Sequence, residues 1–275
     1  MSAKAGRFTG DDRLRFAFAG LLGFLSYALC GSASGQDIAP FKILKLEGHH
    51  VRWQSKPGGG PRVITYRMVR ETVEFPRARN CRKITKLDGL LAASGLSAAV
   101  VEGEVAAAFA MWEAAANILF REAREDGPAD ILIGAQVDPE GWAYADVFYD
   151  ATPKALIKPI SKSLVCLNPL RPWKVGFDGD LKTYDIRYTV AHEIGHAIGL
   201  DHPQGGGQIM GYRYEERFRS LQPGDVRGAV ALYGEPRRHA AETEVNEPAA
   251  LPAGPSAARP FAKRWGTRGF TARSR

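Results

Sequence analysis

Residues 192–202 read His-Glu-Ile-Gly-His-Ala-Ile-Gly-Leu-Asp-His, three imidazoles and one carboxylate at H-E-x-x-H-x-x-G-x-x-H spacing. On a helix, His192 and His196 sit one turn apart on one face, so both rings can reach a single metal ion about 2 Å from each nitrogen. Glu193 stands next along the helix, where a carboxylate can take a proton from water at the metal without binding the metal itself. A straight helix would carry His202 away from that face. Gly199 tolerates the left-handed backbone that ends helices, so the chain can turn back and His202 can supply a third ligand. Three protein ligands leave a fourth position open, which is the arrangement of a hydrolytic zinc centre and not of a closed structural site.

These residues need a helix beneath them, and the pattern places one over about 184–200, with Thr183 or Asp185 as its N-cap. Before it, residues 62–68 alternate β-branched and aromatic side chains and predict a first strand. The stretch 101–121 contains an amphipathic helix, with Val105, Phe109, Trp112 and Ala116 at three-to-four spacing. Residues 129–134 form an apolar run bounded by Gly127-Pro128 and Gly134, which suits a buried strand, and 142–148 and 163–167 suit two more. Strands alternating with helices predict a mixed, mostly parallel sheet with helices packed on it. Gly58-Gly59-Gly60 reads as a loop, and the run 77–83 as a solvated basic loop rather than a binding patch.

The extended motif resembles that of the metzincin clan of zinc endopeptidases at every fixed position, and residues 40–235 are similar to the matrixins. The resemblance implies an α/β (α+β) fold with a mixed, mostly parallel, five-stranded twisted sheet, a helix bearing the zinc motif and a C-terminal helix, which 221–234 would supply. It implies a methionine turn beneath the metal; Ile209-Met210-Gly211-Tyr212 follows the third His at a suitable distance, with Met210 as the floor. It also implies a zinc-dependent endopeptidase with one catalytic zinc ion, Glu193 as general base, and protein or peptide substrates lying extended along the edge strand 142–148. In matrixins the residue four before the first His lines the pocket for the side chain that follows the scissile bond. Here it is Tyr188, which would make that pocket shallow; a Tyr packed in the core is the other reading. Astacins and serralysins carry a Tyr two residues after the Met that ligates zinc or stabilises the oxyanion, and Tyr212 holds that place, with a buried structural Tyr as its alternative.

Departures from the matrixin pattern are equally specific. Cys81 follows the first strand and lacks the neighbours of the matrixin cysteine switch. The second, structural zinc of matrixins is held by an Asp and three His; the corresponding strands here offer Asp146 and Cys166, so that ion is expected to be missing. A zinc-bearing module that binds peptides without cleaving them is the alternative function, and the intact Glu193 argues against it.

The two ends of the chain bear on where it works. Residues 1–35 carry Lys4, Arg7, Arg13 and Arg15, then fourteen largely apolar residues from Phe16 to Leu29, then small residues, the order of a secretory signal peptide. Fourteen residues fall short of the ~20 that a spanning helix needs, so no stable membrane anchor is expected after leader removal. The chain is therefore expected to be exported, to a periplasmic or extracellular space. The mature chain would keep Cys81 and Cys166, as a disulfide or as two free thiols. The formal charge of +7 comes from the leader and from residues 236–275, leaving 36–235 neutral and arguing against a nucleic-acid partner. Residues 236–275 are rich in Ala, Pro and Arg and are expected to be a disordered tail, leaving 36–235 as one catalytic domain.

Overall fold

The computed structural model describes residues 40–54, 60–124 and 126–236. The leader expected over 1–35 lies outside the described residues, as does the expected tail beyond Pro236. Six strands matter for the site: β1 (His49–Arg52), β2 (Arg62–Met68), β3 (Ile118–Glu122), β4 (Ile131–Gln136), β5 (Ala143–Tyr149) and β6 (Ile157–Leu167). The helices are α1 (Asp88–Ser94), α2 (Ala98–Ala115), α3 (Ile186–Ala197) and α4 (Pro223–Tyr233).

The main sheet runs β3-β2-β4-β6-β5; the first four strands are mutually parallel and β5 lies antiparallel to β6 at the edge. This is the mixed, mostly parallel five-stranded sheet that the sequence implies. Shorter pairings extend it: β1 runs parallel to the start of β6, and Lys83–Thr85 lies antiparallel to the end of β4. Every residue of β4 is buried, as a central strand covered on both faces requires, and its Ile-Leu-Ile run supplies the apolar side chains.

The fifth strand, β3, lies in the stretch 101–121 after the helix expected there, and was not singled out from the sequence. The helix ends at Ala115, Ala116 turns extended (φ −149°, ψ 170°), and the chain enters β3 two residues later. Ile118 and Phe120 would also fit a continuing apolar helix face, so periodicity does not show the stop. Pairing with β2, from Arg62↔Ile118 to Tyr66↔Glu122, decides it.

Helices α2 and α3 pack against the sheet and against each other. The Trp112 indole on α2 donates to the Ala191 carbonyl of α3 (2.9 Å), and Trp53 donates to the Ala197 carbonyl (2.9 Å), which the Ser163 hydroxyl also reaches (3.1 Å). Both tryptophans are fully buried, so two large rings fix the depth of α3 while satisfying carbonyls at its middle and end. On the other face of the sheet, Cys81 and Cys166 form a disulfide (Cα–Cα 5.8 Å) that settles the choice left open by sequence. It closes 85 residues, a constraint worth about 4–5 kcal/mol in chain entropy.

Candidate active site

Helix α3 starts at Asp185, whose carboxylate accepts from the Tyr188 amide (2.8 Å), so Asp185 and not Thr183 is the N-cap. It ends before Gly199, which has φ +104° and lies so close to the Val51 carbonyl that a side chain would collide with it. The turn brings His202 back over the helix. The Nε2 atoms of His192 and His202 are 3.0 Å apart, and those of His196 and His202 are 3.2 Å apart.

Hydrogen bonding fixes which nitrogens face inward. His192 Nδ1 donates to the Ile209 carbonyl (2.6 Å) and His196 Nδ1 to the Leu200 carbonyl (2.9 Å), and because a carbonyl only accepts, both Nε2 atoms carry lone pairs. His202 is held from its backbone, its amide donating to the Asp201 carboxylate (2.8 Å), which in turn pairs with Lys42 (2.6 Å). Burial pushes His192 well below its ordinary pKa, His196 down to about 4 and His202 down as well, keeping the rings neutral as metal ligands must be. Acceptors focused at this separation repel one another unless a cation lies between them. The donor set and its convergence fit zinc, and among the described residues these three histidines are the group able to hold a metal.

Glu193 is 6% exposed beside this focus, and burial first, then the Asp146 charge, push its carboxyl up to about 8; a cation at the imidazoles would draw it back down. Met210 is buried and packs against Gly195 of α3, where any side chain would collide with the Met210 sulfur and the Trp112 ring. The turn carrying Met210 hangs from Asp225 on α4, a residue that the sequence reading missed. Its carboxylate accepts from the amides of Ile209 (2.9 Å), Met210 (2.9 Å) and Gln222 (2.8 Å). Since Ile209 supplies the carbonyl that orients His192, Asp225 positions a candidate ligand through one peptide unit. An acid three residues into a Pro-started helix is the only sequence signal for it.

A cleft of about 910 Å³ opens in front of these groups, with β5 along one side and α3 along the other. Among the described strands β5 pairs only with β6, so its outer edge is free. At one end Trp142, Tyr184 and Tyr214 stack face to face, with centroids 3.8 and 4.1 Å apart. None of this stack was singled out from sequence, because its members come from three separate segments. Tyr188 is 3% exposed, edge-on to Tyr214 (5.0 Å), and part of the cleft lining. Its hydroxyl lies near the Glu215 backbone but makes no hydrogen bond of normal length. Tyr212 is 80% exposed with its ring edge-on to His202 (5.2 Å), which excludes the buried structural reading.

The segment 211–222, beyond the Met210 turn, is pinned by charge. The Arg219 guanidinium reaches Asp185 (2.8–3.1 Å) and Glu104 (2.6 Å), and Arg187 holds Glu104 from the other side (2.7 and 2.9 Å). On the opposite wall Asp146 accepts from the amides of Asn80 (2.8 Å) and Cys81 (2.7 Å), and Cys166 is in the disulfide, so both groups are engaged otherwise than as metal donors. The run 77–83 is mostly exposed, as a solvated loop is, and the same anchors hold Arg77, Ala78, Arg79 and Asn80 at the rim, where they line the cleft.

Residues 90–234 match the family model described as Matrixin. The chain is 30% identical over 146 residues to stromelysin-3 of Homo sapiens, covering 50% of this chain and 28% of that protein. It is 30% identical over 158 residues to matrix metalloproteinase-19 of Mus musculus (55% and 29% covered) and over 147 residues to matrix metalloproteinase-23 of Homo sapiens (47% and 36%). The chain thus spans about a third of the length of these curated relatives.

Proposed function

This chain belongs to the matrixin family, and we propose that it is an exported zinc-dependent endopeptidase. The observation that carries the reading is the convergence of three imidazole Nε2 atoms, two of them with their lone pairs fixed inward, beside a buried carboxylate at the floor of an open cleft. His192, His196 and His202 would hold one zinc ion, which when bound supplies a Lewis acid for the scissile carbonyl and acidifies the attacking water toward a pKa of ~7. Glu193 takes the proton from that water and passes it to the leaving amine. The free edge of β5 receives the substrate backbone as an added strand, which aligns the peptide without reading its side chains. Tyr188 closes the pocket for the side chain after the scissile bond, and Tyr212, exposed beside His202, offers its hydroxyl to the developing oxyanion. Export is supported by the leader-like order of residues 1–35 and by a disulfide, which persists in oxidising compartments.

The test is cleavage of casein or a quenched peptide library by metal-replete protein, with and without a chelator. Cleavage should disappear with chelation, and elemental analysis should give one zinc per chain; two would mean that a second site has been overlooked. Glu193→Gln should keep the zinc and lower the rate by about 10²–10⁴. A metal-replete Glu193→Gln protein that cleaves normally would remove Glu193 from its role.

A further inference from the structure

We propose that Arg77 and Arg79 form a subsite for an acidic side chain of the substrate, at the rim of the cleft above β5. The inference rests on the peptidase reading of the same cleft and adds a substrate class to it. The four residues Arg77-Ala78-Arg79-Asn80 divide their work: Ala78 is buried and anchors the loop, while Arg77 and Arg79 are exposed and line the cleft.

The loop frame is rigid. The Phe75 amide donates to the Arg82 carbonyl (2.6 Å), the Ala78 amide donates to the Phe75 carbonyl (2.8 Å), and Asn80 and Cys81 are tied to Asp146 and, through the disulfide of Cys81, to β6. Guanidinium groups presented from such a frame engage a ligand without ordering any backbone.

The charge local to this rim favours an anion. Of the four acids that line the cleft, Asp201 pairs with Lys42 (2.6 Å), Glu47 accepts from the Tyr149 hydroxyl (2.7 Å), Asp146 holds loop amides and Glu193 is buried beside the imidazoles. Neighbouring Lys83 is paired with Glu74 (2.8 Å). Among the described residues, by contrast, no acid pairs with Arg77 or Arg79. Because 36–235 carry no net charge, this positive rim is local and not part of a general basic surface. A planar guanidinium matches a carboxylate in two parallel hydrogen bonds, and a peptide laid along β5 would shield the pair from water on one side.

The test uses quenched peptides that differ only by Glu or Gln, scanned over four positions on each side of the scissile bond. Both kcat/KM and binding of labelled peptides to the full chain are read. The wild type should favour Glu over Gln by about 3- to 10-fold at one position or two adjacent ones, and the ratio should fall toward one as salt is raised. The double variant Arg77→Gln/Arg79→Gln should bring the ratio to about one, and Arg79→Glu should invert it. The salt series needs no variant, so a folding defect in either variant leaves the inference testable. Cleavage with no Glu preference at any position overturns the subsite and leaves the peptidase reading standing. Arginine-dependent binding of the Glu peptide with no cleavage upholds the subsite and overturns the peptidase reading. Absence of both overturns both.

Discussion

The wall built on β5 and loop 75–82 is fixed by a disulfide and by backbone amides on Asp146, whereas the wall built on α3 and segment 211–222 is fixed by side-chain charge. The first arrangement leaves Arg77 and Arg79 without an acid partner among the described residues, while Arg82 donates to the Ala78 carbonyl (3.3 Å) inside the loop. The second engages Arg187 and Arg219 on Glu104 and Asp185, and presents the rings of Tyr184 and Tyr214 to the cleft. How a wall is anchored therefore decides what chemistry it can offer a substrate.

Removing the disulfide should give the largest effect. The Cys81→Ser/Cys166→Ser protein is expected to lose about 4–5 kcal/mol of stability by chain entropy, seen as an earlier midpoint in urea. The Glu-over-Gln selectivity should fall with it while the preference at the Tyr188 pocket persists. If the pocket preference changes equally, the walls are not independent. Arg219→Ala should do the reverse, costing about 2–4 kcal/mol because it leaves the fully buried Asp185 without its main cation. The lower end of that range allows for a guanidinium that is 26% exposed. Here the pocket profile should broaden and the acidic preference should hold.

Within the charged wall, Tyr188→Ala should relax the size limit on the residue after the scissile bond by ~1–3 kcal/mol for a large aromatic. A library profile identical to wild type in a folded variant would return Tyr188 to the core alone. Tyr212→Phe is the smallest change, a single hydroxyl on an exposed ring. It should lower kcat by about tenfold or more with KM nearly constant, as a group used mainly in the transition state does. If both parameters stay put, Tyr212 is a bystander at the cleft mouth.

Local spacing made the candidate site legible: His192, Glu193, His196 and the turn at Gly199 are set by one helix and its end, and the structure brings the His202 ring against those of His192 and His196. Met210 was legible by its distance from His202. What sequence alone did not reveal is non-local. The Cys81–Cys166 pair spans 85 residues, and no pattern along the chain distinguishes a bond from two thiols. The Arg219–Asp185–Glu104 network and the Trp142–Tyr184–Tyr214 stack join residues whose neighbours in sequence are unremarkable. The strand β3 escaped because its apolar residues continue the period of α2, and only hydrogen bonding to β2 separates the two.

Gly195 occupies one of the two positions that the H-E-x-x-H formula leaves blank. In this chain that blank is not free to vary: even alanine would press a methyl group into the Met210 sulfur and the Trp112 ring. Met210 shares its turn with Ile209, whose carbonyl aims the His192 ring, so the displacement would be passed to the metal side of the helix. A library randomised at the two blank positions and selected for cleavage should therefore accept a few apolar residues at 194, whose side chain is buried in the core, and return glycine at 195. The motif as written has four essential letters before His202, Gly199 included, and this molecule has five.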